Sequence, residues 1–104
     1  MKYCYTAVLI PKESGKGYFC RVPDLPGCIT TGDDLIDAME QIMDAASCWL
    51  VFAEDQMEAI PDATPQSKVP VSENAVLSVL LIDTSAYREA MIAQSLRESA
   101  SRPA

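Results

Sequence analysis

The sequence contains no histidine, and only eight of its 104 residues are lysine or arginine, against 15 aspartates and glutamates. The first absence removes imidazole acid–base chemistry and every histidine-containing metal site from the chain's own repertoire. The second removes the basic face that autonomous binding to a phosphate backbone requires. No Cys-x-x-Cys occurs: Cys4, Cys20, Cys28 and Cys48 stand 16, 8 and 20 residues apart, unlike the closely paired ligands of a structural zinc site. Neither a metal nor a cofactor is expected. There is no Gly-x-Ser-x-Gly nucleophile motif, and Gly15 and Gly17 lack the rest of a phosphate loop. The longest apolar run, Ala75 to Ile82, is far too short to cross a bilayer, so no membrane partner is expected. Residues 1–10, MKYCYTAVLI, have neither the length nor the cleavage site of a secretory signal. The expected setting is a reducing cytoplasm, with the cysteines as small apolar fillers.

What is present suits one small globular domain: 49% of the residues are hydrophobic and 22% charged. Lys2 to Ile10, rich in Tyr, Thr, Val and Ile, predicts a strand, and Tyr18 to Val22 a second one. The turn PKESGKG (11–17) between them makes an antiparallel hairpin. Pro23-Asp24-Leu25-Pro26-Gly27 is a rigid bend in which Pro26-Gly27 suits the central positions of a type II turn. Cys28 to Thr31 then supplies a short third strand. A helix follows, capped by Asp33 or Asp34 and fading near Glu54 to Met57. Its expected core stripe is Leu35, Met39, Ile42, Ala46, Trp49 and Ala53, completed by Phe52. Ile60 to Pro70, with three prolines, reads as a linker without regular structure. Ala75 to Ile82 reads as a strand buried on both faces. Thr84 or Ser85 is expected to cap a last helix over Ala86 to Glu98. The order β-β-β-α-β defines an α+β sandwich of two layers over residues 1–83, with a C-terminal helix and polar tail over 84–104. If the third and fourth strands were parallel, the helix between them would form a right-handed crossover.

Charge is unevenly placed. From Val22 to Ser67 there are ten acids and no lysine or arginine, so that block carries −10 and the remainder +3, for a total of −7. Asp33, Asp37, Glu40 and Asp44 fall on one side of the helix, opposite the core stripe. Like charges at i and i+4 cost a few tenths of a kcal/mol each. Two readings follow: a solvated face that keeps the chain soluble, or a face complementary to a cationic partner. Ile36, Met43 and Leu50 flank the acids and serve either as apolar anchors or as the rim of the core. Asp24 either caps its own bend or faces a partner.

Tyr5-x-Ala7, the segment GYFCRVPDLPGCITTGDDLIDAM (17–39), Trp49 and the Ile60-Pro61 exit together resemble the HicB-type antitoxin family over residues 3 to 84. The resemblance implies a partial ribonuclease-H-like fold that binds and neutralises HicA, a small basic toxin that cleaves mRNA. It makes Asp24, Asp33, Asp34, Asp37, Glu40 and Asp44 the expected toxin-binding residues. Family members commonly carry a further C-terminal DNA-binding domain. The 21 positions after Asp83 suffice for one helix rather than such a module, so no direct nucleic-acid binding is expected from this chain.

Two other functions compete. A residual two-metal nuclease needs several carboxylates converging on one sheet edge, yet the first strand has none, and only Glu40 and Asp83 form a vaguely suitable pair. An orphan homo-oligomeric scaffold is the other. One helix leaves a sheet face uncovered, so Val79 and Leu81, with Tyr87 and Met91 of the last helix, are expected to meet a second copy as a dimer or a dimer-based assembly.

Overall fold

The computed structural model describes residues 1–71 and 74–101. Its elements are β1 (Lys2–Pro11), β2 (Tyr18–Arg21), β3 (Ile29–Gly32), α1 (Leu35–Asp55), a single 3-10 turn (Gln66–Lys68), β4 (Val76–Asp83) and α2 (Thr84–Ser101). The sheet order is β3-β2-β1-β4 and every pairing is antiparallel. The parallel crossover therefore does not arise. β3 and β4 lie at opposite edges, and α1 spans the sheet between them. One helix on one face of a four-stranded antiparallel sheet is the expected α+β sandwich.

Local chemistry accounts for the turns. Gly15 and Gly17 have φ of 78° and 90°, which lets the hairpin close through Lys12 N–H donating to the Gly17 carbonyl at 3.0 Å. In the bend, Cys28 N–H donates to the Leu25 carbonyl at 3.0 Å and Gly27 has φ 78°, the geometry of a type II turn around Pro26-Gly27. Gly32 answers a different need. A Cβ there would lie 2.3 Å from the Ala38 Cα, so only glycine lets β3 approach the first turns of α1.

That approach rewrites the helix stripe. Ala38, Ile42, Ala46, Leu50 and Ala53 are buried, each three or four residues from the last. Leu50 is fully buried rather than flanking the acids. With Ala38 pressed against Gly32, Leu35 falls off the buried stripe and is exposed. Met39 and Trp49 are half-buried against the core, whereas Phe52 stands 59% exposed on the flank and completes nothing. Across the sheet, Tyr5, Ala7, Leu9, Cys20, Val22, Leu25, Cys28, Leu80 and Ile82 meet this helix face. Each fully buried Leu or Ile contributes about 1.5–3 kcal/mol. Cys20 and Cys28 are the apolar fillers expected, and burial pushes both thiols up; Cys4 and Cys48 are exposed.

β4 is not buried on both faces. Leu80 and Ile82 point to the core, while Val79 and Leu81 are 46% and 75% exposed. The reason is topological: β4 is an edge strand, and Val79 and Leu81 lie on its side away from α1. On that face Thr6 and Val8 of β1 are nevertheless buried, Val8 pairing with Arg21 on one side and Leu77 on the other. Tyr3 and Tyr5 stack along β1, centroids 6.3 Å apart, and pair across to Ile82 and Leu80 of β4.

Asp83, not Thr84 or Ser85, caps α2: its Oδ1 accepts from Ser85 N–H at 3.0 Å and Ala86 N–H at 3.2 Å. The helix accordingly begins at Thr84, before the expected Ala86. Tyr87 folds back onto α1, and Met91, Ile92 and Leu96 are exposed beyond it.

Candidate functional site

The helix acids have unequal roles. Asp34 is the N-cap of α1, its Oδ1 accepting from Asp37 N–H at 2.7 Å. Asp37 answers by accepting from Asp33 N–H at 2.8 Å, a reciprocal lock on the first turn. Asp44 accepts the Tyr87 hydroxyl at 3.2 Å, and this contact with burial pushes the phenol up. The side chains of Asp33 and Glu40 make no hydrogen bond or ion pair with the described residues, and both are exposed. Asp33, Asp34, Asp37, Glu40 and Asp44 thus share the outward side of α1, with capping work concentrated in Asp34 and Asp37.

Asp24 stands apart. Its Oδ2 accepts from Thr64 N–H at 2.7 Å and its Oδ1 from the Thr64 hydroxyl at 2.6 Å. Both oxygens are spent on fastening the 60–70 segment to the bend. The indole of Trp49 adds a second fastening, donating to the Pro26 carbonyl at 2.9 Å.

At the other end of α1 is a group the sequence reading missed. Glu54 receives the Tyr3 hydroxyl at 2.8 Å and the Thr84 hydroxyl at 2.9 Å, and pairs with Arg88 at 3.1 Å. Arg88 also reaches Asp55 at 2.9 Å. Burial opposes ionisation of Glu54 but is outweighed by hydrogen bonds from Tyr3, Arg88 and Thr84, so its carboxyl is held below the ordinary range. Tyr3 is pushed up to about 12 by burial and by the same carboxylate. The network ties the first strand, α1 and α2 together. Its only sequence signal is a buried-strand tyrosine, too common to be diagnostic.

Apart from Arg88, several cations sit on the other side. Lys2 and Arg21 occupy positions on the sheet face opposite α1, and Lys12 lies 5.2 Å over the Phe19 ring on the same side. The molecule therefore has an acidic helix side and an apolar, weakly cationic sheet side. Glu40 and Asp83 are not brought together. Asp83 lies beside Thr84, which bonds Glu54, and Glu40 is 14 residues back along α1, about 21 Å at 1.5 Å per residue. Among the described residues no group of three or more Cys, Asp or Glu side chains is placed to hold a metal ion. Nor is any helix among them long and apolar enough to cross a membrane.

Fold and surface together define a small α+β domain with one strongly acidic helix face. Residues 5–95 match the model of the HicB-like antitoxin of bacterial toxin–antitoxin systems. The chain belongs to the HicB-like antitoxin family. It is 35% identical over 81 residues to Antitoxin HicB 1 of Photorhabdus laumondii, an alignment covering 76% of this chain and 52% of that protein, so the chain spans about half the length of this relative. A chain of a toxin–antitoxin complex from Streptococcus pneumoniae shares the fold with a TM-score of 0.74, at 15% identity, over 84% of this chain and 73% of that one. The N-terminal domain of Burkholderia pseudomallei antitoxin HicB superposes with a TM-score of 0.66 at 18% identity, over 78% of this chain and 99% of that one. A chain of a HicA3–HicB3 toxin–antitoxin complex gives 0.60 at 17% identity, over 78% and 99%.

Proposed function

We propose that this chain is the toxin-binding part of an antitoxin. It is a non-catalytic cytoplasmic protein that neutralises a small basic, mRNA-cleaving toxin of the HicA type by covering its active surface. The observation that carries the reading is the ten-acid block without a cation, of which Asp33, Asp37, Glu40 and Asp44 line the outward side of α1 while Glu54 and Asp55 pair with Arg88. A toxin that grips RNA must present cations, and an acidic face both steers it and occupies the groove meant for phosphates. Asp33, Glu40 and Asp44 make the contact, with Asp34 and Asp37 at its edge; Asp24, committed to Thr64, supports the bend instead. Family membership and likeness to chains from toxin–antitoxin complexes support the same reading.

A second copy covers the other side. β4 is eight residues long, free at its edge and without charge until Asp83, the kind of strand that pairs with another chain. Val79 and Leu81 form this homodimer contact, and the exposed Met91 extends it along α2.

Co-expression with a small basic toxin encoded beside its gene tests the function. Restored growth is expected; continued arrest in the presence of folded, soluble chain contradicts the reading.

A further inference from the structure

The acids account for attraction but not for a specific seat, and α1 carries a second feature on its flank. Between this flank and the bend lies a cleft of about 420 Å³ lined by Gly27, Ile29, Asp44, Cys48, Trp49 and Phe52. Ile29 is 69% exposed and Phe52 59%, so two large apolar side chains stand in water at its mouth. Its wall is rigid, because Trp49 is held by the hydrogen bond to Pro26 and the bend by the Asp24–Thr64 lock. Asp44 stands on its rim, and the whole block from Val22 to Ser67 lacks a cation.

We infer that this cleft is the apolar anchor site for the basic partner. It takes one large aliphatic or aromatic side chain while neighbouring lysines or arginines lie along Asp33, Glu40 and Asp44. This rests on the proposed antitoxin function and deepens it. An apolar centre with charge at its edge is the usual anatomy of a specific interface, and a large apolar anchor at that centre is where binding energy concentrates. Charge selects the occupant. A second copy related by a two-fold axis at this face would set acids against acids, whereas a cationic chain meets complementary charge.

The chain carries its own reporters. Trp49 is its single tryptophan, and Cys48 is an exposed thiol in the cleft, while the exposed Cys4 lies on β1 outside it. The probe is the basic toxin with its catalytic residue replaced. Binding should shift Trp49 emission to the blue and slow iodoacetamide alkylation of Cys48 at least tenfold relative to Cys4. Phe52→Asp should weaken binding tenfold or more with its melting curve unchanged; should that variant melt early, protection of Cys48 in the wild-type chain decides. Tight binding with Trp49 and Cys48 unperturbed overturns the anchor site and leaves the antitoxin reading standing. A toxin that does not bind the wild-type chain at all overturns both. A Trp49 shift that grows with chain concentration in the absence of toxin assigns the cleft to a second copy and overturns the inference.

Discussion

Asp24 holds Thr64 with both carboxylate oxygens, 2.7 Å from the backbone N–H and 2.6 Å from the hydroxyl, across 40 residues of chain. A loop with three prolines and no regular structure beyond one 3-10 turn is thereby fixed to the bend it passes. Charge-assisted bonds of this kind contribute about 1.5–3 kcal/mol. Asp24→Ala should lower stability by about 2 kcal/mol in urea unfolding and accelerate proteolysis within residues 60–70. A variant as stable as the wild type would show that the clasp contributes nothing.

Glu54 and Tyr3 share one hydrogen bond and predict opposite pH limbs. The folded-state value of Glu54 is depressed, so its contribution is fully present above the unfolded carboxylate range and disappears as pH falls through the folded value. Tyr3 is raised from 10.0 to about 12, so its contribution is complete below pH 10 and lost as pH rises through the folded value. Glu54→Gln should flatten the acid limb of the stability curve, and Tyr3→Phe the alkaline one. Chemical unfolding across the pH range measures both. Unchanged acid and alkaline limbs would contradict the network.

Met57 has φ 55°, the left-handed region that favours glycine. It ends α1 in a Schellman motif: Glu58 N–H donates to the Ala53 carbonyl at 2.9 Å and Met57 N–H to Glu54 at 3.1 Å. Because Met57 is 92% exposed, its side chain contributes little packing. Met57→Gly should therefore raise stability by roughly 0.5–1 kcal/mol, read as a higher urea midpoint. A lower midpoint would mean that the exposed side chain has an unseen contact.

Much of this fold was legible because its signals are local. A run rich in Tyr, Thr, Val and Ile marked β1, and the turn residues marked the hairpin and the Pro26-Gly27 turn. Helical spacing with an acidic cap marked α1. The errors came from information held across the sheet. Leu35 looked buried by period alone, yet Gly32 fits so closely against Ala38 that the helix turns another residue inward. β4 looked like a central strand because it is apolar throughout, and only the sheet order reveals it as an edge. The acids were countable in sequence, but their division into caps, clasp and outward face required the partners at Thr64 and Tyr87.

The exposed edge predicts assembly. Leu81→Asp, on a side chain 75% exposed in the single chain, should convert a dimer to a monomer in light scattering while leaving the melting temperature of the fold within a few degrees. A wild-type chain that is monomeric at high micromolar concentration would contradict the β4 contact.

The central claim is that the outward acids of α1 hold a basic toxin. Asp33→Lys, Glu40→Lys and Asp44→Lys, combined in one variant, spare the Asp34–Asp37 cap that starts the helix. Calorimetric titration with catalytically inactive toxin is the most direct measurement. The expected result is an affinity for the wild-type chain that falls steeply with salt, and a loss of about a hundredfold or more in the triple variant with its circular dichroism unchanged. A triple variant that binds as tightly as the wild type would contradict the account.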